Sequence, residues 1–147
     1  MTDIASIKSS IISILKNDST LQNVLGRDRE GNIPVYASYI TRKTSFPCVT
    51  VMDITEQSEV SGFNDSYDGN RKYSWQYAVI QIDCWSASGP SERDNLQVAV
   101  QKCLLNNTPS GVLYCHEPIV TVLDEPDAKP PLWRKSIRYH VMYVLEV

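Results

Sequence analysis

Long hydrophobic runs are absent from this 147-residue sequence. A membrane-spanning helix needs about 20 consecutive apolar residues, and no stretch here approaches that length. The chain begins Met1-Thr2-Asp3 and lacks the basic region and apolar block that make up a secretory signal. We therefore expect no membrane association and no export.

Motifs of catalysis and cofactor binding are also missing. The sequence contains no Gly-x-Gly-x-x-Gly, no phosphate loop ending in Gly-Lys-Ser/Thr, no His-Glu-x-x-His and no Gly-x-Ser-x-Gly. Only two histidines are present, and His140 falls on the polar side of a predicted strand. The sequence therefore predicts a protein that is not an enzyme, with no catalytic residues and no cofactor.

The cysteines give no sign of a metal or disulfide framework. Cys48, Cys84, Cys103 and Cys115 are far apart and form no Cys-x-x-Cys pair. That spacing favours reduced, mostly buried thiols. Zinc held by Cys115, His116 and His140 is disfavoured, because adjacent residues on a strand point to opposite faces.

One segment partly matches a calcium-binding loop. Residues Asn64 to Gly69 place oxygen groups at positions 1, 3 and 5 and a Gly at position 6. Position 12 is Trp75, where such a loop needs a bidentate Glu. We therefore interpret the segment as a glycine-containing loop tip and predict no metal.

Composition predicts one globular domain over residues 1–147. Apolar residues make up 42% of the chain and charged residues 21%, which is typical of a chain that folds around its own core. The net charge of −3 disfavours a general nucleic-acid binder, whose affinity comes from Lys and Arg against phosphate. Arg134, Lys135 and Arg138 form a small basic group, interpreted as a solvated strand face or as salt bridges to a neighbour.

The stretch from Tyr73 to Leu105 is the one around which we expect the chain to be organised. Residues 73–86 predict one long strand whose apolar face changes from odd positions in its first half to even positions in its second. Residues 90–105 predict a helix that can lie back across the sheet, with apolar side chains at helical spacing. Such a strand is long enough to extend past one core and meet something else.

The remaining elements predict an α+β fold with a mostly antiparallel, mixed sheet, an N-terminal helix and a second helix packed on one face. An apolar stripe from Ile4 to Leu15 predicts the first helix, and a short helical turn ends near Gly26. Strands are predicted at 33–39 and 46–54 as a hairpin, at 111–123, and at 132–147, where alternation is clearest. Residues 56–72 are polar and aperiodic and predict a long loop.

Two groups of residues are candidates for contact with partners. Aromatic and basic side chains on the two long strands exceed what one layer of helices would cover, and Tyr and Trp are enriched at interfaces. The candidate subunit interface consists of Tyr73, Trp75, Tyr77, Trp133, Arg134 and Arg138. The candidate lumen or docking loop consists of Glu56, Glu59, Asp65 and Asp68.

The order of these parts resembles the tail-terminator and tail-completion proteins of long-tailed bacteriophages. The resemblance covers most of the chain and includes Phe46-Pro-Cys-Val-Thr-Val51, the strand Ile80-Gln-Ile-Asp-Cys-Trp85 and a closing strand with Arg138 and Tyr139. The helix between them carries the Leu96 and Val100 spacing. The departure from the family pattern is the long loop from Glu56 to Lys72.

The resemblance implies a structural virion protein. Such a protein forms a ring, usually of six copies, at the head-proximal end of the tail tube, stops tube polymerisation and offers a surface for head–tail joining. The implied partners are further copies of the chain, the tail-tube protein and a head completion or connector protein, with DNA passing through the lumen without specific binding. The implied location is the virion, and the host cytoplasm during assembly.

Two other classes remain open from the sequence. One is a different head–tail connector or a minor tail protein, which would dock elsewhere on the particle. The other is a small cytosolic enzyme or RNA-binding α+β domain, which is disfavoured because no nucleophile–base set and no basic aromatic sheet face is present. Ring formation separates the structural roles from the enzyme.

Overall fold

The computed structural model describes residues 3–37, 40, 44–59 and 73–146. Its elements, in chain order, are α1 (Ile4–Asn17), α2 (Ser19–Leu25), β1 (Val35–Tyr36), β2 (Cys48–Glu59), β3 (Tyr73–Ser86), α3 (Pro90–Asn106), β4 (Val112–Val122) and β5 (Trp133–Glu146). The strands form one sheet in the order β1-β2-β3-β5-β4. The α+β prediction, with an N-terminal helix and a helix on one face of a mixed sheet, is confirmed.

The first two helices begin and end where the sequence predicts. The Asp3 carboxylate accepts a hydrogen bond from the backbone N–H of Ser6, whose hydroxyl in turn accepts from the Asp3 N–H, and this reciprocal pair starts α1. The Asp18 carboxylate caps α2 by accepting a single hydrogen bond from the N–H of Leu21. Gly26 ends α2 with a φ of 67°, a conformation that costs glycine no steric penalty.

The core lies between the three helices and one face of the sheet. Buried side chains of α1 at positions 7, 11 and 15 and of α3 at 96, 100, 103 and 104 meet the even positions of β3, namely Ala78, Ile80, Ile82 and Cys84. The odd positions of β5 complete it, from Ile137 to Tyr143. β3 is therefore the central strand, and α3 packs back onto the sheet that β3 belongs to, as the sequence predicts.

The predicted hairpin between the first two strands is wrong. β1 pairs with β2 in parallel, with Val35 opposite Val49 and Tyr36 opposite Thr50. A parallel pair needs a crossover of about a dozen residues, and residues 37–47 are long enough to return the chain to the same end of the sheet. β1 is also only two residues long, so the predicted strand at 33–39 is wrong at 33, 34 and 37, and its last two residues lie outside the described ones.

β2 is longer than its own sequence predicts. It continues from Ile54 to Glu59, so the predicted loop at 56–72 is wrong for its first four residues, and the rest of that loop lies outside the described residues. The pairing partner explains the extension, because Gln57 faces Tyr77 and Glu59 faces Trp75 across an antiparallel ladder. A ladder with a long central strand overrides weak local strand propensity.

Candidate assembly surface

The helix-free face is the side of the sheet opposite the core. In the described part of the chain, α1 and α3 contact the sheet from the core side, and α2 packs against both of these helices. The strand registers place the following side chains on the helix-free face: Thr50, Met52, Tyr77, Val79, Gln81, Asp83, Trp85, Arg134, Ser136, Arg138, His140 and Met142. This face is therefore polar and aromatic, in contrast to the aliphatic core face.

A buried polar cluster occupies one end of the helix-free face. Asp83 is 0% exposed, and Gln81 Nε2 donates hydrogen bonds of 3.0 and 2.8 Å to its two carboxylate oxygens. Arg134 Nη1 lies 3.3 Å from Asp83 Oδ2, and the guanidinium lies 4.6 Å from the centroid of the Trp85 ring. Trp85 Nε1 donates to Thr50 Oγ1 at 3.0 Å. Arg134 therefore neutralises a buried carboxylate and covers an indole at the same time.

A second ion-pair network joins α3 to the connection between β4 and β5. Arg93 is almost buried and binds both Asp124 and Asp94, and Lys135 Nζ lies 2.9 Å from Asp94 Oδ1. The hydrogen bond from Arg93 holds the pKa of the Asp124 carboxyl below its ordinary value. The pKa of the Asp94 carboxyl is also below its ordinary value, mainly because of the hydrogen bond from Lys135 and then because of the one from Arg93. Both carboxylates are thus ionised at neutral pH and hold the start of β5 against the helix.

The predicted subunit-interface residues do not share one surface. Tyr77 and Arg138 lie on the helix-free face, where Arg138 is exposed. Trp133 occupies an odd position of β5, as the core residues of that strand do, and is half-buried. Arg134 forms an ion pair with Asp83 of its own chain. Tyr73 and Trp75 belong to β3, and their side chains lie outside the described residues.

The predicted acidic residues fall in two places. Glu56 is exposed on β2, and Glu59 ends that strand. Asp65 and Asp68 lie outside the described residues. Of the four residues, Glu56 and Glu59 can thus be placed on the sheet, and they lie at the end away from the buried polar cluster.

The cysteines are all free thiols. Burial raises the pKa of Cys48 and of Cys103 to about 12 and raises that of Cys84 as well, so these three stay protonated at neutral pH. No group of three or more His, Cys, Asp or Glu side chains is placed to hold a metal within the described ranges. None of the described helices is both long and apolar enough to cross a membrane.

The outer strand β4 exposes an apolar segment that the sequence did not mark as functional. Ile119 and Val122 are each 53% exposed, and Val120 and Leu123 also contact solvent. Together with Thr121 they form an uncharged run at the edge of the sheet. From sequence, such a run is typical of a buried strand, and only the sheet order shows that it is an edge.

Comparison with known proteins bears on the fold. No protein-family profile matches the chain, and no curated protein sequence matches it. The fold is similar to that of a chain in a solved structure described as the virion of a native gene transfer agent particle. The TM-score is 0.65, the sequence identity is 12%, and the match covers 96% of each chain. The two chains therefore share one fold from end to end.

Proposed function

We propose that this chain is a structural virion protein that forms a ring at the head-proximal end of a phage tail tube. The ring would end tube growth and provide the head–tail joining surface. The observation that carries the proposal is the fold shared with a chain of a gene transfer agent virion over 96% of both chains. The resemblance of the strand and helix order to tail terminators supports the finer assignment.

The partners follow from this role. The chain would bind further copies of itself, six in the family that it resembles, together with the tail-tube protein and a head-side connector. It would act in the virion after assembly in the host cytoplasm. Since cyclic assemblies are built from head-to-tail contacts between identical chains, each copy must offer two different surfaces.

Native mass spectrometry over a range of concentrations tests the proposal. We expect a closed ring, formed either by the chain alone or after tail-tube protein is added. A chain that stays monomeric at every concentration, with and without tail-tube and head-side proteins, would contradict it. Capture of the head-side connector without the tail-tube protein would instead favour another connector or a minor tail protein.

The acidic group is proposed to face the lumen or a neighbouring ring. A quadruple variant tests this by replacing each acid with its amide: Glu56→Gln, Glu59→Gln, Asp65→Asn and Asp68→Asn. Removing four negative charges changes the formal net charge of the chain from −3 to +1. Because acids along a channel repel phosphate, we expect this variant to retain double-stranded DNA at low salt and to release it as salt rises.

Filter binding at several salt concentrations measures that retention. The control replaces Glu30 by Gln and Asp127 by Asn, two exposed acids in other loops, and should leave DNA binding unchanged. If the quadruple variant affected neither DNA retention nor tail assembly, the acidic residues would have no role in the lumen.

A further inference from the structure

The sheet has two uncovered edges in the described part of the chain. One is the outward edge of β4, and the other consists of the short β1 and the part of β2 beyond its two-residue pairing with β1. An edge strand presents unpaired N–H and C=O groups, and proteins normally protect such edges with charged side chains or Pro. Ile119–Leu123 carries neither, although its aliphatic side chains are exposed.

Strand direction makes the two edges compatible. β4 is antiparallel to β5, β5 to β3, and β3 to β2, so β4 and β2 run in opposite directions. If a second copy continues the sheet in the same orientation, its β2 lies antiparallel to the first copy's β4. This is the pairing in which strands hydrogen-bond most favourably.

The charges on β2 disfavour a contact between two β2 edges. The free part of β2 carries the exposed Glu56, while the neighbouring Asp53 is in an ion pair with Lys8, so two such edges aligned at Glu56 would set like charges opposite each other. The uncharged segment of β4 offers no such repulsion. A contact between β4 of one copy and β2 of the next is also head-to-tail, which is the type that closes into rings.

The two segments lie at different levels of the sheet. Followed across β5, the register aligns Ile119 of β4 with Gln81 of β3 and Val122 with Cys84. On the other side of β3, Thr55 to Glu59 of β2 pair with Val79 to Trp75, which lie further along the sheet. Pairing therefore requires a stagger of several residues between copies. A closed sheet supplies one, because tilted strands shift in register by about one residue per strand, and each copy contributes four long strands.

We propose that Ile119–Leu123 of one copy pairs antiparallel with the free edge of β2, between Asp53 and Glu59, of the next copy. The sheets of neighbouring copies then join into one continuous sheet around the ring. This inference rests on the proposed ring and specifies its subunit contact.

Cross-linking with a short bifunctional maleimide tests the pairing. The background is Cys115→Ser, because the other three cysteines are buried. In it, Val122→Cys and Glu56→Cys together should give a ladder of dimers, trimers and larger species up to the closed ring. Each single variant alone should give none, while a mixture of the two should give dimers.

Charge insertion provides the second test. Val120→Lys with Val122→Lys should raise the concentration at which rings form by at least about tenfold, because charges on an edge strand oppose pairing. The matched control is Val98→Lys with Leu105→Lys, two exposed aliphatic residues on α3, and it should leave ring formation unchanged. Circular dichroism confirms that each monomer remains folded.

The results of these experiments test the strand pairing and the proposed ring independently. Rings in native mass spectrometry without the ladder, or with dimers from Val122→Cys alone, would overturn the pairing and leave the ring intact. Dimers of that single variant would indicate a two-fold contact between β4 strands. A wild-type chain that never assembles would overturn the ring and the pairing together.

Discussion

Replacing Arg134 by Met is expected to lower the free energy of unfolding by about 3 kcal/mol, because a buried carboxylate loses its cation. Asp83 has no exposed surface, whereas the Arg134 side chain is 21% exposed and bridges Asp83 to solvent. Met keeps a long unbranched side chain at this position and removes the guanidinium, so the loss reports charge more than volume. Urea unfolding of the monomer measures it.

Arg138→Met is the matched control for this prediction. Arg138 lies on the same strand and the same face, is exposed, and has no ion pair with another described residue. A surface change of this kind should alter stability by no more than about 0.5 kcal/mol. Equal losses in the two variants would show that the Asp83 contact contributes nothing.

A double-mutant cycle isolates the pair. Asp83→Asn keeps the shape of the side chain and removes its charge, so Arg134→Met should cost less in that background than in the wild type. We expect a coupling of at least about 1 kcal/mol, as for groups in one buried network. Purely additive losses would assign the effect of Arg134 to its other contacts, namely the Trp85 ring, the Glu125 carboxylate and the Leu123 carbonyl.

β3, β5 and the helices were predictable because their signals are local. Alternation from Trp133 to Leu145 identifies β5 and its core face, and helical spacing identifies α1 and α3. The central place of β3 followed from its length, since a 14-residue strand can pair with a long strand on each side.

Strand direction and sheet edges were not predictable in this way. The parallel pairing of β1 depends on where residues 37–47 carry the chain, which no periodicity records. Likewise, the run from Ile119 to Leu123 has the composition of an interior strand, and its exposure follows only from its place at the end of the strand order. The direction of β1 and the exposure of this run are therefore decided by the order of the strands in the sheet, and not by local strand propensity.

The role of Arg134 shows the same limit at the level of side chains. In sequence it belongs to a basic group with Lys135 and Arg138, which suggests one solvated or interfacial patch. In the fold, Arg134 binds Asp83, 51 residues away, and Lys135 binds Asp94 on the other side of the sheet. Alternation along β5 thus places Lys135 on the helix-bearing face and Arg134 and Arg138 on the helix-free face, where Arg134 is paired and Arg138 is exposed.

Replacing Ile82 by Ala is expected to cost about 2–5 kcal/mol of unfolding free energy, since a large-to-small change in a packed core loses burial and leaves a cavity. Ile82 lies in the middle of the central strand, fully buried between Val51 of β2 and Ile137 of β5, which are fully buried themselves. Equilibrium unfolding below the concentration at which rings form gives the monomer value.

Ile54→Ala provides the same chemical change outside the core. Ile54 sits at the register shift of β2, where an extra residue turns it outward and leaves it 45% exposed. Its truncation should change stability by no more than about 0.5 kcal/mol. If Ile54→Ala cost as much as Ile82→Ala, the core would not be confined to the helix-bearing face of the sheet.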